Sequence, residues 1–147
     1  MGALIISQGR LLDTKAPAIA QGVNLAGSAG QWAGPSLKTH FPKMFEKYRS
    51  AAKSGALRGG GVFVWSQSTP MIYNIAVHAR PNTPVHLDWF ENGLDFTLWD
   101  AVKRGHRQVA LPMLNQEVVG IPFGDVEPIL AGMAAGGACD IILRVRR

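Results

Sequence analysis

The chain is poor in cysteine. With one thiol, Cys139, among 147 residues, an intramolecular disulfide and a cysteine-based metal site are both excluded. Cys139 lies in a strand candidate, so a buried, inert thiol is expected there and not a nucleophile. No apolar run approaches the ~18 residues of a membrane span, and no membrane partner is expected. Met1 to Gln8 is too short, and lacks the charged leader, for a signal peptide. A reducing cytoplasm is the expected setting. Zinc-ligand spacing, a Ser–His–Asp order, internal repeats and linkers are also missing, so no metal, no cofactor and no second domain are expected. Residues 1–147 are read as a single domain.

What is present fits a folded α/β protein. Apolar residues make up 47% of the chain and charged residues 17%, a globular balance. The 17 glycines call for tight turns or close backbone approaches. The net charge of +5 is partly in the run Lys38 to Arg58 and partly in the tail Arg144, Arg146, Arg147. It suits anionic ligands, but equally a solvated basic surface. No basic stripe is interleaved with aromatics in the manner of single-strand binders.

Along the chain, the Ile-rich run Ala3 to Ser7 reads as a buried strand ended by Gln8-Gly9, and Ala18 to Leu25 as a second strand. The small residues Ala26-Gly27-Ser28-Ala29-Gly30 must form a loop. In Pro35 to Ser54, Leu37, Phe41, Met44 (or Phe45) and Tyr48 share a helical face. Pro42 breaks that helix near Phe41 and starts a second one, which Gly55 ends. Val62 to Trp65 and Met71 to Val77 read as a hairpin. A loop, Arg80 to Val85, precedes an amphipathic helix carrying Leu87, Phe90, Leu94, Leu98, Ala101 and Val102 and ended by Gly105. Gln108 to Met113 is a strand broken at Pro112, and Leu114 to Phe123 a loop. Asp125 to Ala135 is a helix with Asp125 as its cap, and Ala138 to Val145 the last strand. The order β-β-α-β-β-α-β-α-β predicts a three-layer α/β/α sandwich with a mixed central sheet. Trp65, Trp89 and Trp99 fall on apolar faces and are read as core.

In open α/β sheets ligands bind beyond the carboxyl ends of strands. Two loops leave such ends ahead of helices: Gly22 to Gly30, and Pro112 to Gly120. Backbone amides and helix N-termini there suit an anionic group, and the two loops side by side could cradle a pyrophosphate, although a Gly-rich run alone is a weak motif. Of the histidines, His40 and His106 read as solvated or satisfied groups, whereas His78, at a strand end, could face the cleft. His86 and Asp88 stand at a helix entry.

These loops resemble those of macro domains. Gln21-Gly22-Val23-Asn24-Leu25-Ala26-Gly27-Ser28-Ala29-Gly30 is similar to the first ligand loop of the ADP-ribosyl glycohydrolase branch, roughly V-N-C-x-G-x-M-G-x-G. Phe41-Pro42-Lys43-Met44-Phe45-Glu46-Lys47-Tyr48 resembles its F-P-x-x-F-x-x-Y segment. Gly61 to Trp65 and Tyr73-Asn74-Ile75-Ala76-Val77 resemble its hairpin. Ala110-Leu111-Pro112-Met113-Leu114 with Gly120 and Phe123 resembles its phosphate loop, A-x-P-x-I-G-x-G-x-x-G-x-x-W. Gly9-Arg10-Leu11-Leu12 falls where the family has G-D-I/L. The resemblance covers nearly the whole chain in order.

It implies a site for ADP-ribose or a related nucleotide, lined by Arg10, Leu11, Gly22, Val23, Asn24, Gly30, Gln31, Trp32, Ala76, Val77, Pro112, Leu114, Asn115, Gln116, Glu117, Val118, Val119, Gly120 and Phe123. Asn24 and the loop through Gly30 would meet the distal ribose, Leu114 to Gly120 the phosphates, and Phe123 would be the loop-closing aromatic. The departures are specific. Arg10 replaces an aspartate that contacts the adenine amino group, and a guanidinium cannot accept that hydrogen bond; it could take a phosphate or another base instead. Gln31 is read at the place of a nucleophilic lysine, and Val119 at that of an acid–base aspartate. Trp32 fills a glycine position, and Asn115 and Glu117 replace phosphate-loop glycines. Opposite charges make an Arg10–Glu117 pair across the cleft an expectation. Three functions follow: a binding module for ADP-ribose or a related nucleotide; a hydrolase releasing ADP-ribose from a modified protein, nucleic acid or small molecule, with Asn24, Glu117 or His78 carrying the chemistry; or an interaction protein whose pocket is plugged by Trp32, Asn115 and Glu117.

Overall fold

The computed structural model describes residues 1–30, 32–114 and 119–145. In chain order the elements are β1 (Leu4–Gln8), a 3-10 turn (Leu11–Asp13), β2 (Ala18–Asn24), α1 (Gly34–His40), α2 (Pro42–Ser54), β3 (Val62–Trp65), β4 (Met71–His78), α3 (Leu87–Lys103), β5 (Gln108–Pro112), α4 (Phe123–Ala135) and β6 (Asp140–Val145). One six-stranded sheet has the order β1-β6-β5-β2-β4-β3. Every pairing is parallel except that of β3 with β4.

Both faces of the sheet are covered, which is why the central strands read as continuous apolar runs and do not alternate. All seven residues of β2 are buried. Ala18 and Ala20 pack with Phe90, Leu94 and Leu98 of α3 and Val126, Leu130 and Ala134 of α4. On the other face, Val23 packs with Phe45 and Tyr48 of α2, and Ile19 with Leu11, Ala110 and Ile142. The predicted three layers and mixed sheet are therefore present.

The break in the first long helix falls where Pro42 requires it, with Phe41 outside helical space between α1 and α2. Gly55 closes α2 in the left-handed conformation, at φ 82°.

Four expectations need correction. The first strand is not buried: β1 is an edge paired with β6 alone, and Ile5 and Ile6 are exposed. α4 begins at Phe123 with Pro122 as its cap residue. Asp125 sits inside the first turn and makes no side-chain cap bond, so it acts only through its charge at the positive end of the helix. The last strand starts at Asp140, leaving Cys139 just ahead of it, still buried, with burial pushing its thiol up to about 11. Trp99 is 58% exposed on α3 and is not core; Lys103 sits over its ring at 4.8 Å.

Candidate functional site

The carboxyl ends of the five parallel strands line up in the order β1, β6, β5, β2, β4. Beyond β1, β6 and β5 lies an open cleft of about 580 Å³. Its walls include Gly9, Arg10, Leu11 and Asp13 after β1, Trp32 and Ala33 before α1, His40 of α1, Pro112 and Met113 at the end of β5, and Arg144 of β6. Of the residues expected to bind ligand, Arg10, Leu11, Trp32 and Pro112 meet in this cleft. Gln31, Asn115, Gln116, Glu117 and Val118 lie outside the described residues, and with them the Arg10–Glu117 pair. Arg10 places Nε 3.1 Å from Asp13 Oδ2, an exposed pair spanning the 3-10 turn.

The cleft's β1 end is shaped by a glycine. Gly9 has φ +136°, and a Cβ there would come within 2.2 Å of Arg144 Nη2. The absence of a side chain lets the Arg144 guanidinium lie against the turn. Arg144 donates from Nε to the Arg10 carbonyl at 3.3 Å and from Nη1 to Ser7 Oγ at 3.0 Å. Asp13 and Arg144 were not among the expected site residues. A basic residue on β6, in register with Ser7 of β1, was visible in the sequence only as part of a basic tail.

The β2–β4 end is closed and, apart from His78 Nδ1 and Gln21 Oε1, internally satisfied. The register of β2 against β4 shifts by one residue, pairing Val23 with Ala76 but Asn24 with His78. Such a bulge re-aims the side chains that follow. Val77 packs in the Trp32 cluster, and His78 next to it also reaches Trp32. Gly22 makes room for the indole, since a Cβ there would stand 2.3 Å from Trp32 Cε2. Trp32 is buried, against Phe90 at 6.0 Å between ring centroids. Its Nε1 donates to His78 Nε2 at 3.1 Å.

That bond fixes the histidine tautomer. Nε2 supplies its lone pair to the indole N–H, so the neutral ring carries its proton on Nδ1. His78 is buried, and Nδ1 has no hydrogen-bond partner. Burial pushes the His78 pKa below its ordinary value. The Thr83 and Pro84 carbonyls oppose the shift without closing a bond to Nδ1.

Asn24 is likewise committed. Its Nδ2 donates to the Ser28 carbonyl and hydroxyl at 3.2 and 3.1 Å, and its Oδ1 accepts from the Ala26 and Ser28 amides at 3.0 and 3.3 Å. The Tyr48 hydroxyl donates to the Asn24 carbonyl, and burial raises its pKa to about 12, keeping it a donor. Asn24 thus shapes the loop that reaches Gly30, whose φ is +72°. Val23, Ala76 and Val77 are core side chains behind this loop. Leu114 and Phe123 line a small apolar recess with Ile6, Met113 and Leu143. Val119 is buried and accepts the Val85 amide at 2.9 Å. Gly120, at φ +75°, abuts Pro84, where a Cβ would stand 2.9 Å from its Cα. Of the remaining histidines, His40 and His86 are exposed, the latter stacked on Trp89 at 3.9 Å, and His106 Nε2 lies 3.3 Å from Met71 Sδ. No group of three metal-ligating side chains occurs among the described residues, and no described helix is long and apolar enough to cross a membrane.

This sheet order is the fold of a macrodomain. Among solved structures, the macrodomain of Mycobacterium tuberculosis DarG superposes with a TM-score of 0.86 at 25% identity, covering 98% of each chain. That of Thermus aquaticus DarG gives 0.84 at 22% identity over 99% of each chain. Thermosipho africanus DarTG in complex with ADP-ribose gives 0.81 at 16% identity, over 95% of this chain and 41% of that one. In sequence, the chain is 26% identical over 125 residues to a DNA ADP-ribosyl glycohydrolase of Thermus aquaticus, 82% of this chain but 34% of that protein. The chain therefore spans about a third of that relative's length. No family model matches it.

Proposed function

We propose that the chain binds ADP-ribose or a closely related nucleotide diphosphate across the carboxyl ends of its parallel strands, as one domain in a cytoplasmic setting. The observation that carries this reading is the open cleft running from Arg10 to Trp32, at the place where strand-end loops of an α/β sheet take ligands. The ADP-ribose complex of a protein with the same fold supports it. The ligand would lie with its nucleoside over β1 and β6, its diphosphate between the loops after β5 and β2, and its distal ribose toward Asn24 and His78. Four strand spacings from β1 to β4 give about 19 Å for this extended arrangement.

The test is a thermal-shift titration with ADP-ribose, NAD and simple nucleotides. Ligand at roughly a hundred times Kd adds about 2.7 kcal/mol, a shift of several degrees for a chain of this size. A flat response to all of them, confirmed by calorimetry, would overturn the reading.

A second reading, hydrolysis of an ADP-ribosylated macromolecule, is favoured by the name of the Thermus aquaticus relative and by His78. His78 carries a neutral imidazole whose Nδ1–H is unpartnered but enclosed beside the Thr83 and Pro84 carbonyls, so it donates to a ligand oxygen only if that turn moves aside. The assay is release of free ADP-ribose from an ADP-ribosylated DNA oligonucleotide. Hydrolysis predicts turnover in the parent chain and its loss in His78→Ala, with ADP-ribose still bound.

A further inference from the structure

The charges at the β1 end of the cleft do not match a neutral nucleoside. Two guanidiniums, Arg10 and Arg144, and one carboxylate, Asp13, line it among the described residues. Arg144 is held by neutral acceptors, the Arg10 carbonyl and Ser7 Oγ, and among the described residues no carboxylate pairs with it. The same bond ties Arg144 to the backbone of Arg10, holding two like charges on one wall. Arg10 touches Asp13 through Nε, and the side chains are 67% and 56% exposed. An exposed pair of this kind is weak and readily gives way to a better anion. A planar guanidinium is also the group best suited to a phosphate, which it can hold through two parallel hydrogen bonds.

We propose that Arg10 and Arg144 form a phosphate-binding subsite for a ligand phosphorylated on its nucleoside ribose, so that the cleft prefers a nucleotide with an additional ribose phosphomonoester over ADP-ribose itself. This rests on the orientation given above for the nucleotide. The logic parallels dinucleotide sites generally, where a carboxylate suits a free ribose hydroxyl and a nearby arginine suits a ribose phosphate. Asp13 opposes the subsite by occupying Arg10 and repelling the dianion.

The experiment compares, by calorimetry at low salt, ADP-ribose with ADP-ribose 2′-phosphate, and AMP with adenosine 2′,5′- and 3′,5′-bisphosphates. The extra phosphate is expected to tighten binding at least tenfold, by an amount that shrinks with added salt; the two bisphosphates tell which ribose hydroxyl carries it. Arg10→Gln and Arg144→Gln should each reduce the ratio between phosphorylated and parent ligand severalfold, and Asp13→Asn should raise it. A ratio near one in the parent chain overturns the proposal while leaving the nucleotide cleft standing. A tenfold ratio that survives both arginine substitutions overturns it as well. If neither ADP-ribose nor its phosphorylated form binds, the nucleotide reading itself fails and the subsite falls with it.

Discussion

The two ends of the strand-end row are built on opposite principles. Around Arg10, Asp13 and Arg144 the side chains are charged, solvent-facing and held by few bonds. Around Asn24, Trp32, Tyr48 and His78 they are neutral, buried and bonded to one another and to the loop from Ala26 to Ser28. The first end can change its charge at little structural expense, since exposed ion pairs contribute roughly 0–1 kcal/mol. At the second end a single change disturbs packing and a hydrogen-bond network together. Charge is therefore free to vary at the β1 end, while the β2–β4 end holds the loop geometry fixed.

The largest expected effect is at the closed end. Trp32→Ala empties the space over Gly22 and should cost about 3–5 kcal/mol in urea denaturation. Trp32→Phe retains most of the packing but leaves His78 Nε2 without its donor, so a loss of about 1–3 kcal/mol is expected. If Trp32→Ala is nearly neutral, the contrast between the two ends collapses. Next comes Gly22→Ala, whose Cβ would meet both Trp32 and Val77 Cγ2; overpacking there should cost about 1–3 kcal/mol. Tyr48→Phe, which removes the bond to the Asn24 carbonyl, should cost about 1–2 kcal/mol and weaken ligand binding through a looser loop.

A pH effect sharpens the same comparison. His78 titrates below its ordinary value when folded, so the unfolded chain binds the proton more readily. Its neutral form stabilises the fold fully above the unfolded pKa, and this stability is lost as pH falls from there toward the folded pKa. Melting temperature should therefore drop on acidification below about 6.5, and His78→Gln should flatten that slope. A slope unchanged by the substitution would assign the acid sensitivity elsewhere. The smallest effect belongs to the open end, where Arg10→Gln should change stability by less than about 0.5 kcal/mol.

Much of the fold was legible because its signals are local. Pro42 and Gly55 bound α2, and Gly105 follows α3 with φ +88°, each through backbone chemistry carried by one residue. Apolar runs located β2 and β4 for the same reason. The edge position of β1 was not legible, because Leu-Ile-Ile reads alike whether one neighbour strand or two will cover it. Trp99 was misjudged because helical spacing places it near the apolar stripe, while which residues α4 reaches is settled only by tertiary packing. At the site, the two loops could be found from glycines and from resemblance. The Ser7–Arg144 contact joins positions 137 residues apart, and no pattern within either segment announces it. The His78–Trp32 bond depends on a one-residue register slip, which sequence spacing does not encode.

Trp32 touches both ends: it lines the open cleft and hydrogen-bonds a buried imidazole. An indole so placed is an optical reporter built into the site. Its emission senses the apolar shell around it, the charge state of His78 and the arrival of anything in the cleft. A chain in which Trp65, Trp89 and Trp99 are replaced by Phe would retain that one fluorophore, and would report ligand occupancy and imidazole protonation as two separable signals from a single ring.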